Sequence, residues 1–94
     1  MQRLSDEEIE QGLASSEWAR EGDSIVRDFK VADFASAMAF VNQVAEMAEG
    51  ANHHPDILLH GWNRVRLTLS TPSEGGLTQA DLDMARGIDG LGVS

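Results

Sequence analysis

Residues 33–55 read DFASAMAFVNQVAEMAEGANHHP, and this stretch decides much of the fold. Asp33 is a good N-cap, because its side chain can accept a hydrogen bond from a free N–H in the first helical turn. The residues after it predict the longest helix of the chain, from residue 34 to about residue 51 and roughly 27 Å long. Apolar residues recur there at helical spacing and form a face broad enough to cover a whole sheet. One stripe consists of Phe34, Met38, Val41, Ala45 and Ala48, and it is widened by Ala37, Phe40, Val44 and Met47.

Two adjacent histidines, His53 and His54, follow the end of this helix, and all three histidines of the chain lie between residues 53 and 60. Histidine exchanges protons near neutral pH, so the pair suggests acid–base chemistry in a cleft. Two other interpretations stay open. An imidazole could cap the last carbonyl groups of the helix. A metal site is a weaker alternative, because adjacent side chains point apart and no further ligands stand at a typical spacing.

Two hairpins are predicted on either side of the long helix. Residues 18–21 and 24–31 flank Gly22-Asp23, a dipeptide typical of a tight turn. Residues 56–62 are an apolar strand candidate in which Gly61 suggests a bulge. In residues 64–70, apolar and polar side chains alternate cleanly, which predicts a half-buried strand.

Shorter helices are predicted near both ends of the chain. Ser5-Asp6-Glu7-Glu8 has the pattern of a capping box and begins a helix that runs to about residue 15. Thr78-Gln79-Ala80-Asp81 begins the last helix in the same way. The predicted order is α-β-β-α-β-β-α. It indicates an α+β fold in which a four-stranded antiparallel sheet has three helices packed on one face. The other face would be exposed or buried against another subunit, and residues 1–94 would form a single domain.

Composition limits the classes of function. The chain has 16 acidic side chains against 7 lysines and arginines and a formal charge of −9, which disfavours direct binding of nucleic acid. It has no cysteine, which rules out disulfides and thiolate chemistry. No run of apolar residues approaches the length of a membrane span, and no leader pattern precedes the first helix. We therefore expect a soluble cytoplasmic protein without membrane contact.

The run from Val44 to Glu49, followed three residues later by His53-His54-Pro55, resembles the pterin-4a-carbinolamine dehydratases, also called 4a-hydroxytetrahydrobiopterin dehydratases. The similarity continues at Trp62, which stands at an aromatic position of that family. It also includes LTLST at residues 67–71 and GLTQAD at residues 76–81. The spacing of the glutamate, the two histidines, the proline and the later acid is more specific than a lone pair of histidines.

The resemblance implies a reaction in the recycling of tetrahydrobiopterin, with a pterin as the small-molecule substrate. A 4a-hydroxytetrahydropterin loses water and becomes a quinonoid dihydropterin, and neither a cofactor nor a metal is needed. His54 would be the principal general base and acid, and His53 would orient the substrate and share the proton transfer. The implied catalytic residues are His53, His54, Glu49 and Asp81, and the implied substrate-binding residues are His53, His54, Pro55, Trp62, Thr71, Ser73 and Glu74.

Each supporting residue also has a simpler interpretation. Glu49 could be a solvated carboxylate at a helix end, and Asp81 could only cap the last helix. Trp62 could pack in the core or at an interface. His60 lies in the strand after the histidine pair and is predicted to decorate a face of the sheet.

One position departs from the family pattern. A third histidine usually follows the Ser-Thr pair, and here Pro72 occupies that position. Proline cannot exchange a proton, so the activity could be reduced or absent. The alternative is therefore a non-catalytic module of the same fold that binds a pterin or mediates protein dimerisation. With either function, the small core and the broad apolar helix predict a homodimer or a homotetramer.

Overall fold

The computed structural model describes residues 2–93. Helix α1 spans Asp6–Leu13, strand β1 spans Ala19–Glu21 and strand β2 spans Ser24–Lys30. Helix α2 spans Phe34–Ala51, strand β3 spans Asp56–His60 and strand β4 spans Arg64–Leu69. A 3₁₀ helix at Pro72–Glu74 precedes helix α3 at Gln79–Asp89. The predicted order of elements is confirmed.

All three strand pairings are antiparallel, and the order across the sheet is β1-β2-β4-β3. Glu21 pairs with Ser24, so the first hairpin closes through Gly22 and Asp23 as predicted. The second hairpin differs from the prediction, because β3 ends at His60. Gly61 and Trp62 form the turn with φ angles of +55° and +59°, so Gly61 belongs to a turn and not to a bulge.

The core lies between one face of the sheet and the helices, as the α+β prediction requires. Alternate residues of β4, including Val65 and Leu67, are completely buried on this face. The rings of Phe29 and Phe40 pack with centroids 4.7 Å apart and join β2 to α2. Trp18 lies just before β1, and its indole N–H donates to Asp89 at 2.8 Å.

Helix α2 buries a narrower stripe than predicted. Ala37, Phe40, Val44 and Ala48 are buried against the sheet. Phe34 and Met38 are 54% and 40% exposed, so the sheet of the single chain does not cover the whole of the predicted apolar face. The apolar arc of α2 is wider than the surface that the sheet can cover.

The predicted caps of α1 and α2 are present. Ser5 and Glu8 exchange hydrogen bonds as a complete capping box. These hydrogen bonds hold the pKa of Glu8 below its usual value. Asp33 accepts from the backbone N–H of Ser36 at 2.7 Å. Hydrogen bonding by the side chain of Ser36, together with this backbone N–H, lowers the pKa of Asp33. Within residues 2–93, no helix combines the length and apolarity that crossing a bilayer requires.

Candidate active site

The end of α2 places the two histidines. Asn52 adopts a left-handed conformation with φ of +50°, and the backbone N–H of His53 donates back to the carbonyl of Ala48 at 3.1 Å. This is the usual way in which a helix terminates through a left-handed residue. The cap is made by the backbone N–H groups of Asn52 and His53, and both imidazole rings contact carboxylates instead. Capping by an imidazole is therefore not what the structure shows.

His53 contacts the buried carboxylate of Asp81. The distance from His53 Nε2 to Asp81 Oδ1 is 2.6 Å, and the side chain of Asp81 is 0% exposed. The other carboxylate oxygen accepts from the backbone N–H of Thr78 at 2.9 Å and from the hydroxyl of Thr71 at 2.8 Å. Asp81 thus caps α3, as its simpler interpretation predicts, and it also joins α3 to the histidine segment.

This network determines which nitrogen of His53 is free. A carboxylate only accepts hydrogen bonds, so the ring of His53 donates from Nε2 and leaves Nδ1 unprotonated when the ring is neutral. The hydroxyl of Thr71 donates its hydrogen to Asp81. In the 2.9 Å hydrogen bond between the two threonine hydroxyls, Thr78 is therefore the donor and Thr71 the acceptor. Thr78 is fully buried and was not among the predicted site residues. Its sequence pattern indicates a helix cap, and nothing in it indicates the pairing with Thr71.

His54 and Glu49 form a second imidazole–carboxylate pair. His54 Nε2 contacts Glu49 Oε2, and the two side chains are 55% and 76% exposed. Glu49 is therefore engaged with a histidine on the surface of α2 and is not merely solvated. The two pairs differ in environment, because the carboxylate of one is buried and that of the other faces water.

An apolar cleft lies beside His53. It has a volume of about 310 Å³, and its walls include Met47 and Ala51 of α2 and Ala80 and Met84 of α3. Asp83 adds a carboxylate at the edge. Sites for small ligands typically combine apolar walls with a few polar groups in this way.

The other predicted site residues are distributed unevenly. Pro55 directly follows His54, and Thr71 reaches the site only through its bond to Asp81. Ser73 and Glu74 are exposed in the 3₁₀ helix, which begins at Pro72. The structure does not bring Trp62 to the histidine pair, because β3 separates them. Trp62 is 61% exposed, so it is not a core residue of the single chain.

Within residues 2–93, no group of three or more histidine or acidic side chains is arranged to hold a metal ion. Each imidazole–carboxylate pair provides only two side chains. In each pair the imidazole Nε2 and one carboxylate oxygen contact each other, so these atoms are not free to bind a metal ion. The arrangement is suited to moving protons between an imidazole and a molecule in the adjacent cleft.

Sequence comparisons agree with these features. The sequence model described as pterin 4 alpha carbinolamine dehydratase matches residues 2–91. A protein of Chloroflexus aurantiacus, provisionally named pterin-4-alpha-carbinolamine dehydratase, is 50% identical over 90 residues, covering 95% of this chain and 96% of its own. A Nocardia farcinica protein with the same provisional name is 51% identical over 89 residues, covering 94% of this chain and 93% of its own.

Two solved structures share the fold. A transcriptional coactivator/pterin dehydratase from Brucella melitensis has a TM-score of 0.89 and 37% identity, covering 95% of this chain and 97% of its own. A pterin dehydratase-like protein identified as a RuBisCO assembly factor in the alpha-carboxysome has a TM-score of 0.67 and 26% identity. It covers 80% of this chain and 88% of its own. The matched residues, the element order and the histidine segment all lead to one assignment: the chain belongs to the pterin-4-alpha-carbinolamine dehydratase family.

Proposed function

We propose that this protein dehydrates a 4a-hydroxytetrahydropterin to the quinonoid dihydropterin by histidine acid–base catalysis, acting in the cytoplasm. The observation that carries the proposal is the contact of His53 with the buried carboxylate of Asp81, beside an apolar cleft. Membership of the family supplies the substrate class.

The reaction needs one proton removed and one delivered. The N5–H proton leaves to a base, the electron pair forms the C4a=N5 double bond, and the C4a–O bond breaks. The departing hydroxyl takes up a proton and leaves as water. Imidazole can perform both transfers near neutral pH.

We assign the principal proton transfers to His54, which directly follows the cleft-lining His53 in the chain and contacts Glu49 through Nε2. His53 would present Nδ1 to the substrate, because Asp81 occupies Nε2. Met47 and Met84 would contact the flat ring system, and Pro55, Thr71, Ser73 and Glu74 would border it. Trp62 remains a predicted substrate contact that would require a second subunit, since it lies beyond the far end of β3.

The direct test is the dehydration of freshly generated 4a-hydroxytetrahydropterin, followed by absorbance. The purified protein should accelerate the reaction above the spontaneous rate, and the rate should saturate with substrate. A rate equal to the spontaneous one at all protein concentrations would contradict the proposal.

Pro72→His is expected to raise kcat by about tenfold to a hundredfold, at or below the lower end of the roughly 10²- to 10⁴-fold that a positioned acid–base group contributes. Pro72 directly follows Thr71, whose hydroxyl touches Asp81, so a histidine there would stand next to the site. Pro72→Ala is the matched control, because it removes the ring without adding an imidazole. Equal rates for the two variants would show that position 72 lacks access to the substrate.

A second candidate function is non-catalytic binding of a pterin or of a partner protein. Pro72 in place of the third histidine favours it, and so does the similarity to a RuBisCO assembly factor. Calorimetry with a stable pterin would separate the two functions. Binding without turnover would support the second candidate and exclude the first.

Homo-oligomerisation is expected, as a dimer or a tetramer. Phe34 and Met38 on α2 are large apolar side chains left exposed in the single chain. Size-exclusion chromatography with light scattering should give a multiple of the 10.2 kDa chain mass. The double variant Phe34→Glu/Met38→Glu should form assemblies with fewer subunits if α2 is part of the interface. A mass of one chain for the unaltered protein would refute the prediction.

A further inference from the structure

Three basic side chains lie in one row across the open face of the sheet, which is the face opposite the helices. Arg64 of β4 pairs in register with Lys30 of β2 on one side and with His60 of β3 on the other. All three residues are exposed. Like charges that face each other across neighbouring strands are destabilising, so this basic row costs the fold some stability.

The chain is rich in acidic side chains, yet the basic row itself contains none. Four of the seven lysines and arginines pair with carboxylates, namely Arg20, Arg27, Arg66 and Arg86. Among residues 2–93, neither Lys30 nor Arg64 has a carboxylate within ion-pair distance. In the part of the chain that the structure describes, two of the few cations of an acidic protein are thus unpaired and adjacent.

The nearest acid on this face is already engaged. Asp28 accepts from Arg66 Nε at 2.9 Å and from the second guanidinium nitrogen at 3.1 Å. This pair holds the pKa of Asp28 below its usual value. Its carboxylate is hydrogen-bonded to Arg66 and also interacts with His60, so the charges of Lys30 and Arg64 are left for a group from outside.

The row borders a groove with an apolar component. The groove has a volume of about 580 Å³ and is lined by the basic row together with Asp28, Arg66 and the 54% exposed Leu58. Trp62 stands between His60 and Arg64 in the chain, in the turn of the β3–β4 hairpin, and it is 61% exposed with a φ of +59°. Bulky residues rarely adopt that conformation, and such backbone strain tends to be retained at functional positions.

The shape and the charge indicate the class of partner. The row spans two interstrand spacings, about 10 Å, which is three residues of an extended peptide. A nucleic acid would bring its phosphates close to a molecule of charge −9 and would be repelled beyond the row. A short acidic segment carries fewer negative charges and is repelled less, and its apolar side chains can contact Leu58 in the groove.

We propose that the open face of the sheet at Lys30, Arg64 and His60 binds an acidic, partly apolar segment of a partner protein. This inference is independent of the proposed dehydratase function. The row lies at the far end of β3 from the histidine pair, and none of its residues belongs to the catalytic assignment.

The probe is a labelled hexapeptide of four aspartates and two leucines, compared with the same peptide in which asparagines replace the aspartates. Fluorescence anisotropy gives the affinity, and amide shifts of ¹⁵N-labelled protein give the location. The test variants are Lys30→Glu and Arg64→Glu. Arg86→Glu is the matched control, because it makes the same change of charge on an exposed side chain of α3.

We expect the acidic peptide to bind and to shift amide signals of β2, β3 and β4 around the row. Each charge reversal in the row should weaken binding at least tenfold, and Arg86→Glu should weaken it less than threefold. Lys30→Glu should also raise the unfolding temperature by about 1–4 °C, because it replaces a repulsive pair with an attractive one. Loss of binding in that variant could then not be attributed to unfolding.

Several results would overturn the proposal. They are absence of peptide binding, equal binding of the asparagine peptide, or equal weakening by all three variants. Binding of a short DNA duplex to the row in preference to the peptide would also overturn it. Because dehydratase activity is measured separately, its absence would leave this test unaffected.

Discussion

His54→Ala is expected to lower kcat for pterin dehydration by about 10²- to 10⁴-fold, the usual contribution of a positioned acid–base group. The side chain of His54 is 55% exposed and contacts the carboxylate of Glu49, so its removal leaves no buried cavity. The unfolding temperature should therefore stay close to that of the parent protein. The measurement is kcat from the absorbance assay, together with thermal unfolding of both proteins.

Glu49→Gln is the companion to this variant. It keeps the size of the side chain and a hydrogen-bonding partner for His54, and it removes the negative charge. A positioning role predicts a smaller loss of kcat than in His54→Ala and a changed pH profile of the rate. If His54→Ala retained the full rate, the principal proton transfers would have to be reassigned to His53.

Asp81→Asn is expected to lower kcat by about a hundredfold or more, because it changes the tautomer of His53. The amide oxygen of the new side chain can accept from Thr71 and Thr78, which leaves the NH₂ group facing His53. His53 Nε2 must then accept a hydrogen bond, and the proton moves to Nδ1, the nitrogen proposed to face the substrate. Imidazole ¹⁵N shifts report the tautomer directly. An inverted tautomer with unchanged kcat would show that Asp81 is only structural.

Asp81→Leu separates the structural role of this carboxylate from its chemical one. Leucine is similar in size but leaves the donors of His53, Thr71 and Thr78 without an acceptor. Each unsatisfied buried donor costs about 1–3 kcal/mol, so the free energy of unfolding should fall by several kcal/mol. That is a large share of the stability of a small domain. Asp81→Asn should remain folded under conditions in which Asp81→Leu does not.

The element order follows from local signals, and it was predictable for that reason. Capping residues such as Ser5 and Asp33 act within one turn of their own helix, and strand alternation acts between neighbours. The exposure of Phe34 and Met38 was not predictable in the same way. Periodicity defines an apolar arc on a helix, and the width of the sheet beneath it decides how much of that arc is buried.

The candidate site depends on contacts between distant parts of the chain. His53 and Asp81 are 28 positions apart and lie in different elements, so their approach follows from the tertiary fold. The resemblance to a family indicated that both residues matter, and it did not indicate the network through Thr71 and Thr78. The position of Trp62 depends on where β3 ends, and the ends of secondary-structure elements are what sequence patterns define least well.

The contrasting environments of the two tryptophans make the molecule its own fluorescent reporter. The chain contains no tyrosine, so emission comes almost entirely from Trp18 and Trp62. Trp18 is 3% exposed and hydrogen-bonded to Asp89, so its emission should shift to longer wavelength only when the domain unfolds. Trp62 already emits from water, and a partner on the open sheet should shift its emission to shorter wavelength. Comparison of the emission spectrum of the parent protein with that of Trp62→Phe therefore distinguishes unfolding of the domain from binding of a partner to the open face of the sheet.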